Sequence, residues 1–311
     1  MKMTCVQVHN IRNWMYRNAR PIDLARWQYH FENGSKENVL RCLSAYQNKD
    51  GGFAHALEAD SWNPISSPIQ TWCGIEILRE IGEEDRSNSI VQGVLNYLNA
   101  GHDFIDNKWV SEIESNNEYP HAFWWDWKPD STYGYNPTAN LAGFAIKFSK
   151  KESELYKKAC LIAKQAAASF FKQSEMNDGH LLLCFIRLYQ CCVESDTCNL
   201  FDMDLYADKL LMHVKKSLRN SKLDWSCDGV LFEYMKSFSN NIQTVLDCNQ
   251  IEKIAEYLFE NLQPSGTWNI AWNWNDYAEE WLISKNWWKA YGIIANMLFL
   301  KEHNYLTDII K

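Results

Sequence analysis

Gln47-Asn48-Lys49-Asp50-Gly51-Gly52-Phe53 and its partial echo, Gln263-Pro264-Ser265-Gly266-Thr267-Trp268, decide how this chain reads. Each follows an amphipathic helix. Val39, Leu40, Leu43 and Tyr46 lead into the first copy; Ile251, Ile254, Ala255, Leu258, Phe259 and Leu262 lead into the second at helical spacing. A helix that closes on Gln, then Asp or Ser, then Gly and an aromatic ring calls for a specific turn. Glycine supplies positive φ, the acid or hydroxyl caps the turn, and the ring folds back onto the helices. Two copies point to a fold of repeated helical hairpins.

Outward from these turns the periodicity stays helical. Ser67-Pro68 reads as N-cap plus first helical residue, followed by Ile69, Trp72, Cys73, Ile77 and Ile81, with Gly82 as the stop. Asn136-Pro137 opens a second helix with Leu141, Phe144, Ala145 and Phe148; Leu155, Ala159, Ile162, Ala163, Ala166 and Phe170 mark a third. Further helices are expected over about 88–99, 179–193, 203–218, 250–262 and 287–303, and no segment alternates as a strand does. The fold class is all-α, with roughly ten to twelve helices. Long connections rich in aromatics and acids are expected at about 50–66, 101–135, 219–247 and 264–286, where function concentrates. No linker divides residues 1–311, which read as a single domain.

The bulk numbers exclude several function classes. At 46% hydrophobic and 23% charged the chain is globular rather than disordered. A net charge of −8 offers no basic stripe for nucleic acid and no attraction to an anionic membrane surface. The ten cysteines lack metal-ligand spacing, so neither a metal nor a cofactor is expected; they read as reduced, buried thiols. Met1-Lys2-Met3-Thr4-Cys5 opens no apolar leader, and no run reaches the roughly 18 residues of a membrane span, so the cytoplasm is the expected location. Fifteen Trp, 15 Tyr and 14 Phe exceed what a core takes, so some rings are expected to line a cavity or groove for a small-molecule substrate.

The first turn motif resembles the Gln/Trp repeat of the terpenoid cyclase and protein prenyltransferase superfamily, and Gln263 to Trp268 resembles the same repeat one residue short. His55-Ala56-Leu57-Glu58-Ala59-Asp60, Tyr119-Pro120-His121-Ala122-Phe123-Trp124-Trp125 and Asn136-Pro137-Thr138-Ala139 resemble a bacterial branch of that superfamily. The resemblance covers the whole chain and implies an α/α toroid, a barrel of nested helical hairpins. It leaves the chemistry open. The nearest match to the Asp-x-Asp-Asp motif of class II cyclases is Asp202-Met203-Asp204-Leu205, without the final acid; the Asp-Asp-x-x-Asp run that holds magnesium in class I synthases is absent.

Three groups of residues carry candidate chemistry. In the first, a helical turn over Phe53–Ala59 would place His55 and Glu58 on one face, with Asp60 beside them, as an acid–base pair or as caps that hold the loop. The second is Glu118, Tyr119 and His121 followed by Trp124, Trp125, Asp126 and Trp127. Indole faces hold cations or sugar rings, and an acid against indole would lose hydration and favour its protonated form. The third is Trp268, Trp272, Trp274, Glu279, Glu280 and Trp281, in which Trp272 and Trp274 alternate with asparagines and point the same way. Glu279 either completes an acid pair or sits at a solvated helix start.

Two enzyme classes compete for these residues. A terpenoid-cyclase-like protein would protonate an apolar chain from Asp60, Glu58 or Asp126, with His121 or His55 as the acid's hydrogen-bonding partner. Trp62, Tyr119, Trp124, Trp125, Trp127, Trp268, Trp272, Trp274 and Glu279 would line the substrate site. The alternative is a carbohydrate-active glycosidase or lyase on an (α/α) barrel, for which Trp and paired carboxylates also serve. A non-catalytic ligand- or peptide-binding scaffold is the third reading.

Overall fold

A computed structural model describes residues 2–220 and 247–306, with side chains of 218–220 excepted. The connection expected at about 219–247 lies, its ends apart, outside them. The described residues are mostly helical, with 11 α-helices and 60% of residues in helix. The chain divides into two compact units: one takes the residues up to Leu43 and those from Asp247 onward, the other Ser44–Asn220.

In the first unit, α1 (Cys5–Asn18) begins at a capping box in which Thr4 and Gln7 exchange hydrogen bonds, and α2 (Pro21–Phe31) begins with proline at its first position. Next comes α3 (Lys36–Ser44), whose Val39 and Leu43 are buried. After the undescribed stretch, α10 (Cys248–Asn261) starts from Asp247 and buries Ile254, Ala255 and Leu258. Finally α11 (Ala278–Glu302) packs on α1 and α2. It starts nine residues before the expected position: Trp281 and Ser284 already turn a buried face inward, so the stretch read as loop ends at Tyr277. Met3 N donates to Tyr305 O at 2.8 Å and Lys301 Nζ to His30 O at 2.6 Å, joining early and late segments of the chain.

The second unit runs through α4 (Pro68–Glu80), α5 (Ser89–Ala100), a short hairpin of β1 (Phe104–Ile105) and β2 (Lys108–Trp109), then α6 (Thr138–Phe148), α7 (Glu154–Lys172), α8 (Gly179–Glu194) and α9 (Met203–Asn220). The hairpin turns at Asp106 and Asn107, both at positive φ, and is the one sheet among the described residues, where helices alone were expected. At the centre stands α6, every residue of which is buried, as an all-round apolar helix requires. Gly143 lets α8 approach: a β-carbon there would meet Leu188 Cα at 3.1 Å. The single cation on α6, Lys147, reaches Glu84 and Glu194 at 2.8 Å each. Beside it Arg187 on α8 clasps Glu76 on α4 through Nε and Nη2, and Asn140 on α6 donates to the same carboxylate at 2.7 Å. These bonds tie α4, α6 and α8 together.

Both turn motifs fold alike. Gly51 N donates to Asn48 O and Asn48 N to Gly52 O, each at 2.9 Å; Gly266 N donates to Gln263 O at 2.9 Å and Gln263 N to Thr267 O at 2.8 Å. That is a three-residue hairpin loop closed by a left-handed glycine, with φ of 90° at Gly51 and 87° at Gly266. Aligned by these bonds, Gln263 stands where Asn48 stands and Leu262 where Gln47 stands. Only the first turn therefore has the Gln47 carboxamide donating to Gly51 O and Ile90 O. Phe53 and Trp268 follow their glycines into the core, and Trp268 Nε1 donates to Leu258 O of α10 at 2.8 Å.

Candidate functional site

The helical turn expected over Phe53–Ala59 is not formed. His55 and Ala56 both take positive φ, 60° and 58°, and Leu57 N returns to Ala54 O. This reverses the chain where a helix would continue. His55 is left exposed while Glu58 is buried, so the two do not share a face. His55 Nε2 donates to Asn48 Oδ1 at 2.9 Å, whose amide nitrogen is committed to Pro64 O and Ser66 Oγ. His55 therefore braces the outer side of the loop.

The loop then meets the second candidate segment. Trp62 N donates to Pro120 O and Ala122 N to Asp60 O, both at 2.9 Å, so Ser61 and His121 face each other across an antiparallel bridge. This clamp brings Glu58, Asp60 and Trp62 together with Tyr119 and His121. Asp60, Glu58 and His121 are 2%, 6% and 6% exposed. Glu58 Oε2 accepts from Asp60 N at 2.7 Å.

Amide side chains hold both loops in place. Asn63 donates to Ser115 Oγ and Asn116 Oδ1, Asn116 to Trp125 O, and Asn117 pairs with both backbone groups of Trp127. Gln70, on α4, accepts from Leu57 N and donates to Asn63 O. These brackets were not read from the sequence; their signal was the run of Asn and Gln in connections that carry no helical face.

A short 3₁₀ turn over Phe123–Trp125 swings Asp126 back onto His121, whose Nε2 lies 2.9 Å from Asp126 Oδ1. His121 Nδ1 lies 2.5 Å from Tyr119 O, a carbonyl that only accepts, so Nδ1 carries a hydrogen. Asp126 Oδ1 faces Nε2, the other ring nitrogen, so a proton carried by either group would lie between them. The Asp126 side chain is 49% exposed and Glu118 is exposed, so neither is enclosed by indole. Trp62, Tyr119, Trp124, Trp125 and Trp127, on the same two loops, are half-buried. Ser61 Oγ and Trp125 Nε1 are buried there with no hydrogen-bond partner.

The third candidate group belongs to the first unit. Residues 268 to 274 form no helix or strand, with Trp268 and Trp274 buried, Trp272 half-buried and the asparagines between them exposed. Trp274 packs on Trp281 at 5.6 Å between ring centres and Trp272 on Trp288 at 5.2 Å. Trp268 is a core contact. Glu279 is exposed in the first turn of α11, where the helix dipole favours an acid.

Elsewhere in the second unit, burial pushes the Asp103 carboxyl up and the Tyr97 phenol well up, and Tyr97 Oη donates to Asp103 Oδ2 at 2.8 Å. Burial and then Lys209 push His213 down, against a backbone group of Gln173 that favours the charged ring; both ring nitrogens are buried without a hydrogen bond of ordinary geometry. Among the described residues no three His, Cys, Asp or Glu side chains are grouped to hold a metal ion, and no helix is long and apolar enough to cross a membrane. No protein-family model, curated protein or solved structure matches the chain.

Proposed function

We propose that the clamped loops of the second unit form a proton-transfer site of a carbohydrate-active enzyme, a glycosidase or lyase, with His121 moving the proton. The observation that carries this reading is the His121–Asp126 contact, where Nδ1 is fixed on a carbonyl and Nε2 meets a carboxyl oxygen of Asp126. A positioned imidazole of this kind is suited to general acid–base work near neutral pH. Half-buried indoles offer stacking faces for sugar rings, and the partnerless Ser61 Oγ and Trp125 Nε1 suit a ligand rich in hydroxyl groups. Glu58 and Asp60 supply buried carboxylates on the facing loop.

The second reading is isoprenoid cyclisation on an α/α toroid of the terpenoid cyclase kind. It is favoured by the depth of Asp60, an acid shielded as a proton donor to an alkene would be. The half-exposed Asp126 and indoles weigh against it, because a carbocation must be kept from water.

The test is a thermal-shift and turnover screen against two ligand sets. One holds oligosaccharides and aryl glycosides; the other holds isoprenoid diphosphates and neutral polyprenes, with and without Mg²⁺. A ligand at 100 times its dissociation constant adds about 2.7 kcal/mol, several degrees in a unit of this size. Sugar-dependent stabilisation and turnover, both reduced in His121→Gln, are expected. A response to prenyl ligands alone would replace the proposal with the cyclase, sugar binding without turnover would leave a binding scaffold, and silence from both sets would overturn the site.

A further inference from the structure

The first unit holds a second, separate arrangement in which charge and aromatic faces are joined. Lys285 and Lys289 lie one turn apart on α11, both half-buried. Neither has an ion pair or hydrogen bond to an acid among the described residues. Lys285 Nζ sits 5.9 Å from the centre of the Trp281 ring. Trp288, on the same side of the helix, meets Trp272 edge-on, and Trp288 in turn meets Tyr291 at 5.6 Å. Trp272 Nε1 is buried without a hydrogen-bond partner.

Two ammonium groups at i and i+4 repel each other, and partial burial strengthens the repulsion by thinning the water between them. The direction at Lys289 agrees: burial, then Lys285, push it down. The acids nearest along the helix, Glu279 and Glu280, are in its first turn and make no ion pair with either lysine among the described residues. The arrangement costs stability as it stands, and a ligand that brings negative charge would offset that cost.

We propose that Lys285 and Lys289, with the Trp272–Trp288 ring pair, form a binding site for an anionic sugar, a uronate or a sugar phosphate. The lysines take the charged group, an indole face takes the ring, and Trp272 Nε1 donates to an acceptor of the ligand. Inorganic phosphate alone fills only half of this site. Neutral sugar fills the other half. The site does not depend on His121 or on the chemistry proposed for the second unit.

Titration calorimetry of the full chain with glucuronate, glucose 6-phosphate, glucose and inorganic phosphate tests it. At least one charged sugar is expected to bind tenfold or more tightly than both glucose and phosphate. Lys289→Met should weaken that binding at least tenfold, leave glucose binding unchanged and raise the melting temperature of the free protein. His121→Gln should leave unaltered the margin by which charged sugar binds more tightly than glucose. Equal binding of charged sugar by wild type and Lys289→Met, phosphate binding as tight as glucose 6-phosphate, or no binding of either charged sugar would overturn the proposal. Because Lys289→Met is expected to stabilise the protein, loss of fold does not explain loss of binding; Trp272→Phe, which keeps a ring and removes the donor, gives a second variant, expected to weaken charged-sugar binding, and full affinity there would also overturn the site as drawn.

Discussion

Gly51 lies so close to Gly93 of α5 that a β-carbon on Gly51 would stand 2.5 Å from the Gly93 carbonyl carbon, and nearer still to its oxygen. Two glycines from segments 42 residues apart thus let a turn and a helix touch backbone to backbone. Gly266 does the same against Asn10 and Ile11 of α1, at 2.6 and 2.5 Å.

Gly51→Ala is therefore expected to destabilise by about 3 kcal/mol, roughly 1 from the positive φ and the rest from overpacking against backbone that cannot turn aside. Gly266→Ala should do likewise, while Gly82→Ala, at positive φ but with open space around it, should lose only the conformational part. Chemical denaturation of the three variants checks this. Equal losses at all three sites would show that the close approach carries no weight.

Asn116→Ala removes an amide that accepts from Asn63 and donates to Trp125 O while 1% exposed. Leaving those partners unsatisfied should cost about 1–3 kcal/mol. Hydrogen exchange should quicken at Trp62 and Ala122, whose backbone donors close the clamp. Unaltered exchange at both would mean that the amide brackets do not hold the loops.

Asp103 carries a pH signature. Its carboxyl is pushed up by burial, so the folded state holds the proton more tightly than the unfolded chain, whose value is near 3.9. The charge adds no cost below that pH, and the cost grows as pH rises through the folded value. Asp103→Asn, which still accepts from Tyr97, should be more stable than wild type at pH 7 and level with it at pH 3.5. A gain of the same size at both values would point to packing instead.

His213 runs the other way with pH. Its folded value is pushed down by burial, so both states are neutral above about 6.5, and stability is lost as pH falls from there toward the folded value. His213→Phe, which keeps a ring against Phe170 and removes the titrating nitrogens, should flatten the fall in stability between pH 7 and 5. An unchanged slope would assign the acid sensitivity to another group.

Helical faces were legible wherever spacing alone sets burial. Leu155, Ala159, Ile162, Ala163, Ala166 and Phe170 are all buried along α7. Helix α1 was marked by its Thr4–Gln7 capping box and a sparse apolar face of Val8, Ile11 and Met15, and the start of α11 was obscured by tryptophans that read as loop. The candidate site was legible as composition, with His121, Asp126 and their indoles in one segment, but not as geometry. No helix or strand period brings residues five apart into contact; the 3₁₀ turn at Phe123–Trp125 does. The clamp itself is made by backbone groups of Asp60, Trp62, Pro120 and Ala122, which any side chain could accompany. The left-handed pair at His55 and Ala56 was not legible because, although histidine visits positive φ more often than most residues, alanine does so rarely and no spacing signals the two in succession.

The bond from Met3 to Tyr305 sets an order of events at the ribosome. Ser44–Asn220 emerges as one contiguous stretch and has all of its own contacts before the late helices are made. The early helices α1 and α2 wait, their apolar faces uncovered, until α11 has been synthesised about 250 residues later. Truncated or stalled chains therefore display those faces to whatever binds nascent hydrophobic surface, while the middle of the protein is already sheltered.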